Sequence, residues 1–149
     1  MKHDHILLRV QDLHKMVQFF TEILKLKEGA RPAFSFPGAW LYSDNQPLIH
    51  LALNDEGLDS STHRAQEQYL GKRSATSQQG IVDHIAFQGD DYTSLISRLK
   101  NSATAYFERS VPVSGEHQIF VTGPEGLLLE ILFNQDKSAI KTPLTNTSH

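Results

Sequence analysis

DHILLRVQD, residues 4–12, and DHIAFQGDD, residues 83–91, are two versions of one phrase. Laid over each other, Asp4 meets Asp83, His5 meets His84, Ile6 meets Ile85 and Asp12 meets Asp91, at an offset of 79. A second pair lies further along: LIHLAL (48–53) over LLEILF (128–133), with Ile49 on Leu129 and His50 on Glu130, at an offset of 80. Chance does not give two offsets one residue apart in stretches so widely separated. The chain is read as a duplication, and a repeat of this size decides the architecture ahead of any local propensity.

Working outward, each copy predicts a strand, a helix and three more strands. In the first, His5–Val10 reads as a strand, and Asp12 as the N-cap of a helix carrying Leu13, Met16, Val17, Phe20 and Leu24 at helical spacing. That helix is expected to end near Leu26, before strands at Pro32–Phe36, 38–44 and 47–53. In the second, the strand IVDHIAF (81–87) leads to a helix capped by Asp90 or Asp91, with Tyr92, Leu95, Ile96 and Leu99 on its apolar face. Strands are expected at Ala103–Glu108, His117–Thr122 and Leu127–Phe133. The domain reading is therefore module one at about 3–53, a polar linker at 54–79 with one helical turn around Thr62–Leu70, module two at about 80–134, and a polar tail at 135–149. The fold class is α+β, two tandem βαβββ modules within a single domain.

Composition narrows the function. The chain has 149 residues, 39% hydrophobic and 21% charged, enough for one packed core. A net charge of -3 with no basic run argues against nucleic acid or an anionic membrane as partner. No segment reaches the roughly 18 apolar residues of a membrane span, and MKHDHILLRVQD is not a signal peptide, so a cytoplasmic location is expected. With no cysteine, disulfides, thiolate metal sites and Cys nucleophiles are excluded. Histidine, at eight, is the unusual count.

The repeat sets His5, His50, His84 and Glu130 in equivalent places. By strand alternation Ile49, Leu51 and Leu53 share one face and His50 the other, while Leu129, Ile131 and Phe133 oppose Glu130. His5 and His84 likewise oppose Ile6, Leu8 and Val10, and Ile85 and Phe87. All four then leave the face the helices cover, and they converge only if the modules close around a shared concavity. A lone buried charge costs several kcal/mol. A divalent metal removes that cost, and imidazole nitrogens with a carboxylate oxygen suit Fe(II), Mn, Ni, Co or Zn. Taken singly, each histidine has an ordinary structural explanation, whereas Glu130, an acid amid LLLEILF, requires a partner; in register across a repeat, the metal reading is the better one, with His50 its least certain member. His3, His14, His63, His117 and His149 show no such register and are read as solvated or structural. Trp40 and Phe120 each lie ten residues before His50 and Glu130 and are candidates to line the concavity.

HILLRVQD (5–12), LIHLAL (48–53), VDHIAF (82–87) and FVTGPEGLLLEI (120–131) together resemble the vicinal oxygen chelate superfamily, which includes glyoxalase I, fosfomycin-resistance proteins, methylmalonyl-CoA epimerase and extradiol dioxygenases. The resemblance covers roughly residues 3–134. It implies two βαβββ modules forming a U-shaped mixed sheet around one metal, often completed as a homodimer. It matches His5, His84 and Glu130 to the family's metal ligands and puts His50 where relatives carry Glu, Gln, His or no ligand. Two departures bear on activity. Glyoxalase I has a metal-site carboxylate where His50 stands. Ring-cleaving dioxygenases carry an acid/base tyrosine where this chain has Phe120, so that role passes to Tyr42 or His50.

The leading expectation is a metal-dependent enzyme, Fe(II) favoured, binding a small molecule through vicinal oxygens in extradiol ring-cleaving dioxygenase-type chemistry. A glyoxalase-type lyase or an epimerase/isomerase is the second, with His50 as fourth ligand or base. A drug-binding resistance protein is the third; those of this fold lack the metal ligands, so the four retained polar positions count against it.

Overall fold

A computed structural model describes residues 3–70, 82, 84–110 and 115–134. It divides into two compact units, Met1–Gly80 and Ile81–His149. The first runs β1 (Ile6–Val10), α1 (Leu13–Glu22), β2 (Lys27–Gly29), β3 (Gly38–Ser43), β4 (Gln46–Leu53) and α2 (Ser60–Leu70). The second runs β5 (Ile85–Gln88), α3 (Tyr92–Asn101), β6 (Tyr106–Ser110), β7 (Glu116–Thr122) and β8 (Leu128–Asn134). The sheets have the orders β1-β4-β3-β2 and β5-β8-β7-β6, each with one parallel pair, β1 on β4 and β5 on β8. This is the expected α+β architecture of two βαβββ modules.

The duplication extends to the packing. Asp12 and Asp91 are both extended residues whose carboxylates accept the backbone N–H three residues on, from Lys15 and Ser94, at 3.0 Å each. Each satisfies a donor that the helix start would otherwise leave open. Behind them Met16 and Phe20 in α1, and Leu95 and Leu99 in α3, are buried at equivalent positions. The strand registers repeat as well. Leu41 pairs with Ile49, Val121 pairs with Leu129, and all four side chains are fully buried. Gly38 opens β3 where a Cβ would lie 2.5 Å from the Leu51 carbonyl, so the close strand approach requires glycine.

Several boundaries differ from the sequence reading. The strand expected at Pro32–Phe36 is absent, and the second strand is β2, at Lys27–Gly29. α1 stops at Glu22, and Lys25 turns into the left-handed region (φ 59) to bring Lys27–Gly29 alongside Tyr42–Trp40. Phe34 N–H donates to the Pro32 carbonyl at 2.7 Å, a tight turn that no strand ladder accommodates. Phe34 and Phe36 instead stack on each other at 4.9 Å, with Tyr69 4.1 Å from Phe34. In the second unit β6 begins at Tyr106 rather than Ala103, because Ala103 leaves α3 at φ 53. The turn expected around Thr62–Leu70 is the full helix α2. It is anchored by Gln66, which is fully buried and donates to the Leu53 carbonyl at 2.8 Å. Residues 71–79 of the expected linker and the expected tail at 135–149 lie outside the described residues.

Candidate metal centre

His5 and His84 do not sit inside strands, as the sequence suggested; each is the residue just before one, β1 and β5. The ladders of their units begin one residue later, at Ile6 and Ile85. His5 Nδ1 donates to the Asp4 carboxylate at 2.6 Å, which fixes the tautomer and leaves the lone pair on Nε2. That bond is also the main reason the Asp4 carboxyl lies below the usual carboxylate range.

His50 lies in β4, with Trp40 its direct partner on β3 and Leu7 its partner on β1. Its ring is clamped between two others: His5 at 3.9 Å and 10° on one side, Trp40 at 3.9 Å and 9° on the other. Its Nε2 is buried and has no hydrogen-bond partner. A buried, unpaired imidazole nitrogen is costly unless something binds there. Burial above all, then the neighbouring His5, hold the His50 pKa below 6.5, against opposing effects of the Pro47 backbone and Asp4. The folded imidazole therefore stays neutral at a pH where the unfolded chain takes up a proton. Its contribution to stability is present above pH 6.5 and is lost as pH falls through the folded value. In the metal-free protein, the His50 ring signals followed by NMR are expected to titrate below the free-histidine range; titration at or above it would contradict this environment.

In the second unit, Glu130 is buried (7% exposed) in β8, and its Oε2 lies 2.9 Å from His84 Nε2. Its Oε1 accepts from Gln118 Nε2 at 2.6 Å, and Gln118 Oε1 accepts from Arg109 Nε at 2.6 Å. Phe120, the strand partner of Glu130, has Phe107 stacked on it at 4.8 Å and the Arg109 guanidinium 5.1 Å from its centre. His84 meets the same ring edge-on at 6.1 Å. Phe120 supplies an apolar platform and no proton.

The four donor residues thus lie two and two: His5 with His50, and His84 with Glu130. Among the described residues of either unit, no third His, Asp or Glu joins a pair to form a group able to hold a metal. The donors nevertheless fit a divalent ion on their own chemistry. His5 has its second nitrogen secured by a carboxylate, His50 presents an unpaired nitrogen, and Glu130 is a buried carboxylate. Trp40 acts on His50 by stacking. Tyr42, one candidate proton carrier, has its hydroxyl committed to the Ala30 carbonyl at 2.5 Å, which leaves His50. His117 is structural, as expected: buried on the helix side of its sheet, it contacts Glu108 Oε1 and Ser110 Oγ at 3.0 Å each. A cavity of about 370 Å³ in the first unit is lined by Phe34, Phe36, Ala65, Gln68 and Tyr69 among others, and by none of the four donors.

Sequence reasoning missed Gln118 and Arg109. The available signal was parity: Gln118 lies two residues before Phe120 and shares its face, and Arg109 pairs with it from β6.

With this geometry in view, comparison with known proteins places the chain. Residues 2–131 match the Glyoxalase/Bleomycin resistance protein/Dioxygenase superfamily, and the chain belongs to that family. Among solved structures it is similar to a glyoxylase/bleomycin resistance protein/dioxygenase domain from Frankia sp. EAN1pec (21% identity, TM-score 0.64, covering 91% of this chain and 98% of that one). It is also similar to a genomically encoded fosfomycin resistance protein from Listeria monocytogenes (18% identity, TM-score 0.62, 89% and 92% covered). A glyoxalase family protein from Bacillus anthracis is a third (16% identity, TM-score 0.63, 91% and 96% covered). At these identities the likeness is one of fold. Comparison with curated proteins gives no match.

Proposed function

We propose that this protein is a divalent-metal-dependent enzyme that binds a small molecule through two adjacent oxygens, with His5, His84 and Glu130 as metal ligands. The single observation that carries the reading is the pairing of a buried Glu130 carboxylate with His84 at 2.9 Å in the second unit. The equivalent position of the repeat in the first unit is occupied by His5 and His50. Two imidazoles and one carboxylate suit Fe(II) first and Zn, Ni, Mn or Co next. A bound ion supplies Lewis acidity toward the two substrate oxygens.

The chain's own groups do the rest. Asp4 holds His5 in the tautomer that exposes Nε2, and Gln118 holds one oxygen of Glu130. Phe107 and Phe120 give a stacked apolar surface for a planar substrate body. The leading reaction is ring cleavage of the extradiol type, for which His5, His84 and Glu130 would hold the ion and leave it open to substrate and O2. Since Phe120 has no proton and Tyr42 is engaged, proton transfer falls to His50, whose neutral ring accepts it.

The unpaired His50 Nε2 favours one second reading. As a fourth donor it shifts preference toward Zn or Ni and toward glyoxalase-type lyase or isomerase chemistry. A purely drug-binding role is disfavoured by the retention of all four donors. Metal analysis followed by anaerobic Fe(II) reconstitution separates them. Oxygen uptake with catechols is expected for the first reading, and O2-independent conversion of hemithioacetals for the second. Protein that takes up no metal, and whose ligand binding survives His84→Ala, would overturn both.

A further inference from the structure

We infer that Gln118 is a positioning residue for Glu130, that its amide is oriented by Arg109, and that Glu130 consequently offers a metal one oxygen, Oε2, rather than two. The inference rests on the metal reading above and adds to it the residue that sets the carboxylate's mode of binding.

Three strands carry the chain of contacts. Arg109 on β6 is the direct partner of Gln118 on β7, and Gln118 reaches diagonally to Glu130 on β8, the partner of Phe120. A glutamine amide has two orientations related by a half turn, and its surroundings decide between them. Here the decision is chemical. A guanidinium only donates, so the amide must show Arg109 its oxygen, and the 2.6 Å contact from Arg109 Nε is that bond. The NH2 group is then turned toward Glu130, where it donates to Oε1 at 2.6 Å. Gln118 and Glu130 are 9% and 7% exposed, so water competes poorly for either bond. Oε1 is thereby held by Gln118, and Oε2 is the oxygen turned to His84, the other proposed ligand of this unit, at 2.9 Å. A carboxylate held in this way would give a bound ion one oxygen and would leave room for a substrate that needs two positions.

The test is Co(II) and Zn(II) affinity, measured by competition with a chromophoric chelator, for the full chain and its Gln118→Leu, Arg109→Leu and Arg109→Lys variants. Gln118→Leu is expected to bind about 10- to 100-fold more weakly, the usual cost of losing an outer-shell partner. Its bound Co(II) should also show an altered visible spectrum, because the carboxylate is free to chelate through both oxygens. Arg109→Leu should lose affinity in the same direction and Arg109→Lys should restore part of it, which a purely structural role for the strand edge would not predict. Gln118→Leu with wild-type affinity and an unchanged Co(II) spectrum would overturn the inference. Should Gln118→Leu not fold, the exposed Arg109→Leu decides by the same two readouts. Failure of the wild-type chain to bind either ion is a separate result: it would remove the metal reading itself.

Discussion

Replacing Glu130 by leucine is expected to lower metal affinity by at least about a hundredfold, since loss of an outer-shell group alone costs 10- to 100-fold. Glu130 is the one buried acid of its strand, and both its oxygens are engaged, by His84 and by Gln118. Leucine fills similar space and removes both acceptors. His84, its side chain 34% exposed, turns to water at little cost. The Gln118 amide cannot, and an unsatisfied buried donor costs about 1–3 kcal/mol. The expected signature is therefore lopsided: metal uptake, followed by equilibrium dialysis against Fe(II) or Zn(II), collapses while the urea transition moves only moderately. Glu130→Gln is the sharper control, because its amide keeps one acceptor for Gln118 yet is a poor ligand. A Glu130→Leu protein that kept parental metal affinity would mean that Glu130 is an ordinary structural acid held by His84.

Why the architecture was legible and part of the site was not comes down to how far each signal reaches along the chain. Asp12 and Asp91 announce their helices because a cap is a local event, settled within three residues. The repeat then transfers every such reading from one module to the other, and the buried pairs Met16 with Leu95 and Phe20 with Leu99 follow it. β2 escaped because Lys25 adopts a left-handed turn with no glycine to mark it. Phe34 and Phe36 look like strand residues, but they pack with tilted rings against Tyr69 of α2, a non-local contact that local propensity does not register. α2 itself lacks a strong apolar stripe, and a buried glutamine holds it. At the site, Glu130 stood out because an acid among leucines needs a partner. Gln118 did not, since a neutral amide in a strand raises no such demand. The His5–His50–Trp40 stack depends on β1 pairing in parallel with β4, a contact between residues more than forty positions apart.

The stability of the first module is expected to hang on Phe20. Its side chain is fully buried on the α1 face that also carries Met16 and Phe19, while β1 turns Ile6, Leu8 and Val10 away from the His5 face. Phe20→Ala leaves a void that a close-packed interior fills only in part, and truncations of this kind cost about 3–5 kcal/mol. At roughly 2–4 °C per kcal/mol for a chain of this size, the melting temperature should fall on the order of 10 °C. Leu99→Ala, the equivalent truncation in α3, should cost about 2–5 kcal/mol, and the effect comes from its position in the repeat. Leu7→Ala supplies the contrast. Leu7 is 36% exposed on the opposite face of β1, so its truncation removes much less buried surface than that of the fully buried Phe20 and should cost correspondingly less. Scanning calorimetry of the three metal-free variants reads the difference directly. If Phe20→Ala melted with Leu7→Ala rather than far below it, the helix would not be where this module buries its core, and the packing equivalence of the two repeats would be wrong.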